Sequence, residues 1–453
     1  MIRTLLLAAS ALALAACTTV GPNYSSPAPA APAQQPFLGA ASPAFTGDEP
    51  PGRWWSLFGD PLLERLVEDA LARNTDLRVA AANLAQARAV LRETRAGRLP
   101  ATGVSGGATL GNPPGPGGTD LTFDAGLDIG YQLDLFGRIR RATEASRADV
   151  EAVQAAFDLT RITVAAETTR AYADACSAGR QLDVARESVR IQEETFDLTQ
   201  RLVRGGRGTA LETGQAQAQL EQTRSQIPTL EALRRTALYR LSVLTGRPPA
   251  EFPREVEACA AAPELGRPVP VGSGATLLAR RPDIRAAERE LAAATARVGV
   301  ATAELYPQVS LGGSVGGGSG FRFSLGPLIS WSFPNRSVAR ARIAQAEASA
   351  EAALARFDGT WLGALEETEG ALTRYAAELD RVAILRRARA GSAEAARIAR
   401  LRYRAGREPF QIVLEAERTL SQAEASLAQA EAQRSDTLVS LFLALGGGWQ
   451  PGA

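Results

Sequence analysis

The sequence contains no histidine, and all 50 of its basic residues are arginine. The first absence removes the commonest general base and the commonest neutral metal ligand, and the lack of lysine excludes a P-loop. Two G-x-S-x-G strings occur, at Gly103–Gly107 and Gly312–Gly316, but a nucleophilic serine in that motif needs a histidine partner. We therefore expect glycine-rich strands at both places, and we predict no catalytic residue, no metal site and no enzyme activity.

Strong net charge is also absent, because 50 basic residues are balanced by 49 acidic ones. A balance of +1 gives no global field that would attract nucleic acid, so we predict no nucleic-acid partner. Beyond the N-terminus, uninterrupted apolar runs of about 18 residues are missing as well, which predicts that no helix crosses a membrane.

The N-terminus is typical of an exported protein. A positive start at Arg3 precedes the mostly apolar run Leu5–Ala16, which is too short to span a bilayer and indicates a secretory signal over residues 1–16. Leu14-Ala15-Ala16-Cys17 resembles a bacterial lipobox, which predicts a covalent lipid on Cys17 as the only prosthetic group. Thr18, where an aspartate would favour the inner membrane, indicates sorting to the outer membrane. The alternative is ordinary A-x-A cleavage beside an incidental cysteine.

Two cysteines remain, Cys176 and Cys259. In the oxidising periplasm an even pair is a candidate disulfide, and two isolated cysteines without histidine make a poor metal site. Two separately buried thiols are the alternative, and the sequence leaves both open.

Helical periodicity dominates from about Asp60 onward. Leu77, Leu84 and Leu91 recur every seven residues, as do Ile284, Leu291, Val298 and Leu305, which indicates helices packed as in coiled coils. The two runs also match each other at an offset of 207, and RGGR at residues 204–207 matches RAGR at residues 404–407 at an offset of 200. We infer one internal duplication.

The duplication sets the predicted organisation. An irregular, Pro/Ala-rich tether with no core of its own covers residues 17–59, a Pro-rich segment covers 247–275, and a tail covers 446–453. The first repeat is 60–246, with strands in 100–136, a long helix over 138–203 and a turn at 204–208. The second repeat is 276–445, with strands in 307–334, a long helix over 336–403 and a turn at 404–409. Each long helix would extend roughly 100 Å.

The strands alternate between apolar and polar residues. In FDAGLDIGYQLDLFG, residues 123–137, the odd positions up to Leu135 are apolar or aromatic and most even ones are Asp, Gly or Gln. Such alternation over about ten residues is typical of outer-membrane barrels. Four strands are too few to close a barrel, and open edges cannot be left in lipid, so several chains would close one barrel together. A soluble sandwich with one wet face would explain the alternation equally well, but not the lipobox, the duplication and the long helices.

At this point the sequence resembles the outer membrane factor family, the TolC-like exit ducts, and within it the lipoprotein branch of OprM-like and NodT-type efflux subunits. The resemblance rests on segments that span nearly the whole mature chain: CTTVGPNY at 17, WWSLFGDPLLERLVEDALARNTDLR at 54, YQLDLFGRIRR at 131, RRPDIRAAERELAAATARVG at 280, RYRAGREPFQIVLEAERTL at 402 and LFLALGGGW at 441. It implies a mainly α fold with a small β part: a homotrimer whose 12-stranded outer-membrane barrel continues into a long periplasmic α-helical barrel. It also implies a periplasmic adaptor and an inner-membrane pump as partners.

The resemblance also assigns residues. It implies adaptor contacts at the two turns, whose residues are Arg204, Gly205, Gly206, Arg207, Arg404, Ala405, Gly406 and Arg407. It implies a pore gate at Glu415, one turn after Gln411, where relatives often carry a bulky apolar residue. The counterpart of Glu415 in the first half is the uncharged Gln215, and the nearest acid there is Glu212.

Two rival functions remain. A type I protein-secretion exit would use the same fold, although the lipobox and the LGGGW ending favour small-molecule efflux. A structural lipoprotein that uses long helices as spacers is the rival from another class, and the alternating strands argue against it.

Overall fold

The computed structural model describes residues 19–28, 31–111, 120–318, 320–331 and 336–447. Within these ranges the helices are α1 (Pro61–Arg73), α2 (Thr75–Ala96), α3 (Arg138–Arg204), α4 (Ala210–Arg224), α5 (Gln226–Leu244), α6 (Gly274–Arg280), α7 (Pro282–Ala303), α8 (Ser337–Arg404) and α9 (Phe410–Ala444). The strands are β1 (Phe45–Thr46), β2 (Ala101–Gly111), β3 (Asp120–Leu133), β4 (Val269–Pro270), β5 (Gln308–Gly317) and β6 (Arg322–Ser330). Short 3₁₀ helices occur at Ala31–Gln34, Leu38–Ala41, Trp54–Phe58, Pro249–Glu251 and Arg254–Ala258.

The chain folds into two compact units. The sheet unit comprises Met1–Ala28, Ala81–Phe157 and Pro282–Trp361, and the core unit comprises Pro29–Ala80, Asp158–Arg281 and Leu362–Ala453, each over its described residues. The long helices α3 and α8 contribute residues to both units.

Four antiparallel strands in the order β2-β3-β5-β6 form the sheet of the sheet unit. The central β3–β5 pairing joins the two halves of the duplication, and β2 and β6 are the edges. Because directly paired residues share a face, the register gathers the apolar odd-numbered residues of β3 with their partners on one side. That side is bare in the single chain, with Phe123 67 %, Phe323 77 % and Leu325 82 % exposed.

The opposite face of the sheet carries small and polar residues. Glycines lie next to the charged positions of β3, since Gly107 pairs with Asp124 and Gly103 with Asp128. Ser314 and Ser324 face each other across β5 and β6, with their hydroxyl oxygens 2.8 Å apart. The sheet therefore has one apolar face and one polar, wet face, as the alternation predicts. It is an open four-stranded sheet in the single chain.

The N-terminal segment of the sheet unit is held by a buried arginine. Arg141, 4 % exposed, donates from Nε to the Val20 carbonyl (3.1 Å) and from Nη2 to the Gly21 carbonyl (3.2 Å) and Asn23 Oδ1 (2.7 Å). The Val20 amide donates to the carbonyl of Phe136, which follows the end of β3 (3.2 Å). Residues just beyond the predicted lipid site are therefore fixed at the base of the sheet.

Tyr24 extends this attachment. Its hydroxyl donates to Glu288 Oε1 (2.5 Å), and the Arg289 guanidinium lies 5.6 Å from its ring centroid. Burial, and next the hydrogen bond to Glu288, raise the pKa of Tyr24 to about 12.

A large hydrophobic core organises the core unit. Trp54 is fully buried and stacks on Phe442 with ring centroids 4.6 Å apart. Around this pair pack the apolar faces of α1, α5 and α9 and the middle of α3. Asp60 caps α1 by accepting from the amides of Leu62 and Leu63, and its second oxygen accepts from the Tyr172 hydroxyl (2.6 Å).

The segment 17–59, expected to have no core of its own, supplies side chains to the core of this unit. Phe37, Phe45, Trp54 and Trp55 belong to the core cluster, and β1 pairs in parallel with β4 of the segment 247–275. The two segments predicted to be irregular therefore contribute to the core. Their few aromatic residues bury large areas, which a composition dominated by alanine and proline does not reveal.

The duplication recurs in local geometry. Asn74 interrupts the helix expected from residue 60 and donates to the Leu244 carbonyl (3.0 Å). At the matched positions of the second half, Arg281 donates to the carbonyl of Ala444 (2.7 Å). Gly246 and Gly446 both adopt positive φ, at 70° and 64°. The halves differ after the first turn, since α4 ends at Arg224 and α5 begins at Gln226, whereas α9 is continuous.

Candidate functional site

The turn after α3 is a Schellman motif. The Gly206 amide donates to the Val203 carbonyl (3.0 Å), and the Arg207 amide donates to that of Leu202 (2.8 Å). Gly206 has φ +66°, and a Cβ there would meet nothing within 4 Å. Backbone conformation rather than space therefore requires glycine at this position.

The turn after α8 repeats this geometry. Gly406 has φ +70°, its amide donates to the Tyr403 carbonyl (2.9 Å), and the Arg407 amide donates to that of Arg402 (2.9 Å). A Cβ on Gly406 would lie 3.6 Å from Arg207 Nη2, so the two turns are neighbours. The structure thus brings together the predicted adaptor-contact residues of the two halves. Gly205, Arg207, Arg404, Ala405 and Arg407 are exposed or half-exposed in the single chain.

Glu212 has a structural partner in this region. Its carboxylate accepts from the Thr209 amide (2.8 Å), and the Thr209 hydroxyl accepts from the Glu212 amide (3.3 Å), which forms a capping box at the start of α4. Burial, and then the charge of Glu212, raise the pKa of Tyr403 on α8. Glu212 therefore stabilises the first turn of α4, close to Tyr403 near the end of α8.

Glu415 and Gln411 lie one turn apart on α9, and both are exposed in the single chain. The Glu415 carbonyl accepts from the Thr419 hydroxyl (2.9 Å), a bond within the helix that leaves the carboxylate unused. The opposite side of α9 is buried: Phe410 (1 %), Val413 (1 %) and Leu414 (9 %) pack with Tyr403 of α8. The predicted gate residues thus face away from the local core.

Sequence reasoning missed two buried charged residues, one in each unit. Arg141 is buried on α3 and holds the N-terminal segment, and Glu417 is buried on α9 at 2 % exposure. The signal for Glu417 was present at the offset of 200, where the first half has Gln217.

Cys176 and Cys259 are joined in the structure, with an S–S distance of 2.04 Å and a Cα–Cα distance of 4.8 Å. The bond ties the middle of α3 to the segment between α5 and α6, and both residues border the core cluster. Cys17, the predicted lipid site, lies outside the described residues.

Within the described ranges, no helix is both long enough and apolar enough to span a bilayer. The same part of the chain contains no group of three or more His, Cys, Asp or Glu side chains placed to hold a metal ion.

Comparison with known proteins assigns the family. A family model described as "Outer membrane efflux protein" matches residues 66–247 and 275–447. The chain is similar to nodulation protein T of Rhizobium leguminosarum bv. trifolii, with 31% identity over 97% of this chain and 96% of that protein. It is also similar to outer membrane protein OprJ of Pseudomonas aeruginosa, with 32% identity over 98% of this chain and 95% of that protein.

Among solved structures, the chain is similar to the outer-membrane channel OprN. The TM-score is 0.89 and the identity 37%, over 95% of this chain and all of that one. The chain belongs to the outer membrane efflux protein family.

Proposed function

We propose that this chain is the outer-membrane exit duct of a tripartite efflux system. In this function it passes small molecules from a periplasmic adaptor and an inner-membrane pump to the exterior. The observation that carries the proposal is the amphipathic sheet, whose apolar face is bare while its other face is lined with glycine, serine and aspartate. A bare face with side chains as large as Phe323 and Leu325 needs a cover, and lipid supplies it.

The unpaired edges define how the duct closes. β2 and β6 are the outer strands of the sheet, and their open backbone groups cannot remain unpaired in lipid. Pairing β6 of one copy with β2 of the next satisfies both edges, and three copies give a barrel of about twelve strands. A homotrimer is therefore the proposed assembly, with the wet faces turned to a common lumen.

The wall of the lumen would carry few charges and few bulky side chains. Asp124 and Asp128 on β3 and Arg322 on β6 lie on the wet face, between positions occupied by glycine or serine. Rows such as Gly103, Asp128, Ser314 and Ser324 present few bulky side chains to a passing solute. Such a wall suits a conduit better than a binding site.

The periplasmic roles fall to the helices. The neighbouring turns at Gly206 and Gly406 are the proposed adaptor contacts, supported by their exposure and their shared geometry. Glu415 is the proposed gate acid, supported by its position on the exposed face of α9. Cys17 is the proposed lipid site, supported by the anchoring of residues 20–24 at the base of the sheet.

Adjacent residues on β6 provide a matched test. Leu325→Arg places a charge on the apolar face, which costs about 2 to 4 kcal/mol near a bilayer midplane, whereas Ser324→Arg places it on the wet face. We expect Leu325→Arg to lower the amount of trimer in outer membranes. Ser324→Arg should assemble normally and show reduced cation preference in planar bilayers.

The outcome that contradicts the proposal is equally specific. A purified wild-type protein without conductance, or a monomer by light scattering in detergent, would exclude the duct. Restoration of drug resistance in a strain lacking its own exit duct distinguishes efflux from protein secretion, which would restore export of a protein substrate instead.

A further inference from the structure

Glu417 is a carboxyl group that the duct function does not explain. It lies on α9 two residues after the proposed gate acid, but on the buried side, with 2 % of its surface exposed. It follows the cluster of Phe410, Val413 and Leu414 and faces α3 and α8. Ionised carboxylates are rarely buried to this degree without full pairing.

The pairing of Glu417 is incomplete. Oε1 accepts from the Thr195 hydroxyl of α3 at 2.8 Å, and the closest cation, Nη1 of Arg400, lies 3.9 Å away. Oε2 is buried without a hydrogen-bond partner, and so is Oε1 of Gln192 on α3. An acceptor left without a partner in an apolar interior is destabilising, and more so if it is charged.

A single proton satisfies both lone acceptors. The Gln192 side chain lies within hydrogen-bonding reach of the Glu417 carboxyl. A protonated Oε2 would carry an O–H, for which the unpartnered Oε1 of Gln192 is the candidate acceptor, and the same proton removes the buried charge. The neutral acid therefore fits this packing better than the carboxylate does.

The surrounding charges do not reverse this preference. Arg400 and Arg404 of α8 favour the ionised form, and Thr195 and Gln192 of α3 stabilise it by hydrogen bonding. Desolvation by burial is the largest effect, and it raises the pKa of Glu417. On α4, Oε1 of the buried Gln219 accepts from Arg418 Nε of α9 at 3.3 Å.

The duplication supplies an internal comparison. At the offset of 200 the first half has Gln217, an exposed and neutral residue on α4. The first half therefore folds without an acid at this position, whereas the second half carries one in a buried place.

We propose that Glu417 is a proton-controlled latch, protonated while α9 packs against α3 and α8, and that its ionisation loosens α9 beside the second turn. The consequence for the gate rests on the proposed duct function, because α9 also carries Glu415. Because the packed and loosened arrangements then differ in proton affinity, their ratio changes as Glu417 titrates.

Infrared spectroscopy of the purified protein tests the protonation state without reference to transport. The wild-type spectrum minus that of Glu417→Gln should contain the C=O stretch of a protonated carboxylic acid at a pH above the ordinary titration range of glutamate. Glutamine keeps the shape of the side chain and supplies Nε2 as the donor to Gln192, so the variant should fold. Absence of that band would mean that Glu417 is ionised and accepts from Gln192 Nε2, which overturns the proposal.

Thermal unfolding against pH gives a second, independent measurement. A pKa raised by folding contributes stability below the unfolded value of about 4.3, and this contribution is lost as the pH rises through the folded pKa. Wild type and Glu417→Gln should therefore melt together in acid, and the variant should be more stable near neutral pH. Glu415→Gln, which changes an exposed acid on the same helix, should follow the wild type. Parallel curves for wild type and Glu417→Gln at all pH values would refute the latch.

Single-channel recording then tests the link to gating. The open probability of the wild type should rise severalfold as the periplasmic side is made more alkaline. Glu417→Gln should remove this rise, and Glu394→Gln, which changes an exposed acid on α8, should keep it. A conducting wild type with the same pH profile as Glu417→Gln contradicts the latch and leaves the duct intact. A wild type that never conducts contradicts the duct, while the infrared and melting results still decide the protonation of Glu417.

Discussion

Replacing Arg141 should release the N-terminal segment from the base of the sheet. The guanidinium makes three hydrogen bonds to this segment, through Val20, Gly21 and Asn23, and it is itself only 4 % exposed. Hydrogen bonds that involve a charged group contribute about 1.5 to 3 kcal/mol each. Because bonds that share one guanidinium are not additive and the freed carbonyls regain water, we expect Arg141→Ala to cost about 3 to 4 kcal/mol locally.

Amide hydrogen exchange measures this local cost directly. The Val20 amide is held by the Phe136 carbonyl at 3.2 Å, so it exchanges only when the segment opens. At 1.4 kcal/mol per factor of ten, Arg141→Ala should speed its exchange by about 100-fold or more. Arg141→Lys should recover only part of the protection, because one ammonium cannot reproduce the planar fork of donors.

The matched control is Arg297→Ala, which removes a surface ion pair with Asp149 in the same unit. The Arg297 side chain is 54 % exposed, and such pairs contribute about 0 to 1 kcal/mol. Exchange at Val20 should stay at the wild-type rate in this variant. Unchanged exchange in Arg141→Ala, or an equal increase in both variants, would refute the assignment of Arg141 as the clamp.

Three further predictions concern the proposed lipid, the disulfide and the gate. Cys17→Ser should abolish metabolic labelling with palmitate while the protein still trimerises, and persisting label would refute the site. Thiol labelling of the denatured, unreduced protein should leave Cys176 and Cys259 unmodified, so two reactive cysteines would contradict the bond. Glu415→Ala should raise single-channel conductance and lower cation preference, because three charges leave a confined ring, whereas Glu212→Ala should mainly weaken the start of α4. Equal conductance in Glu415→Ala and wild type would place the constriction elsewhere.

The sequence predicts the regular elements well, for identifiable reasons. The long helices observed at Arg138–Arg204 and Ser337–Arg404 were expected at 138–203 and 336–403. Each ends at a glycine with positive φ, a conformation that non-glycine residues rarely adopt, so the Arg-Gly turns mark the helix ends directly. Strict alternation fixes the strands in the same way, because a slip of one residue would exchange the two faces.

Contacts distant in the sequence were beyond this reasoning. Helical periodicity does not say which polar residue of a 67-residue helix will be buried, so Arg141 gave no signal on α3. Nor does composition reveal that Phe37 and Phe45 enter the core, since their partners lie in other parts of the chain. The Asn74 break also escaped notice: Oδ1 of Asn74 accepts from the Asp76 amide at the start of α2, and Nδ2 donates to the distant Leu244 carbonyl.

The halves differ on the helix that follows each turn. At matched positions the first half has Gln215, Gln217 and Pro228, and the second has Glu415, Glu417 and Ala428. Proline at residue 228 lies in the first turn of α5, where its missing amide is tolerated, and α4 ends just before it, whereas α9 continues without a break. The second half therefore joins an unbroken helix to two carboxyl groups, one exposed and one buried, and the first half carries neither. In a trimer each of these groups recurs three times around one axis. A change in their charge therefore occurs in all three copies at once. We therefore expect that charge changes in the second half control the opening of the duct. The first half would stabilise the helices against which α9 moves.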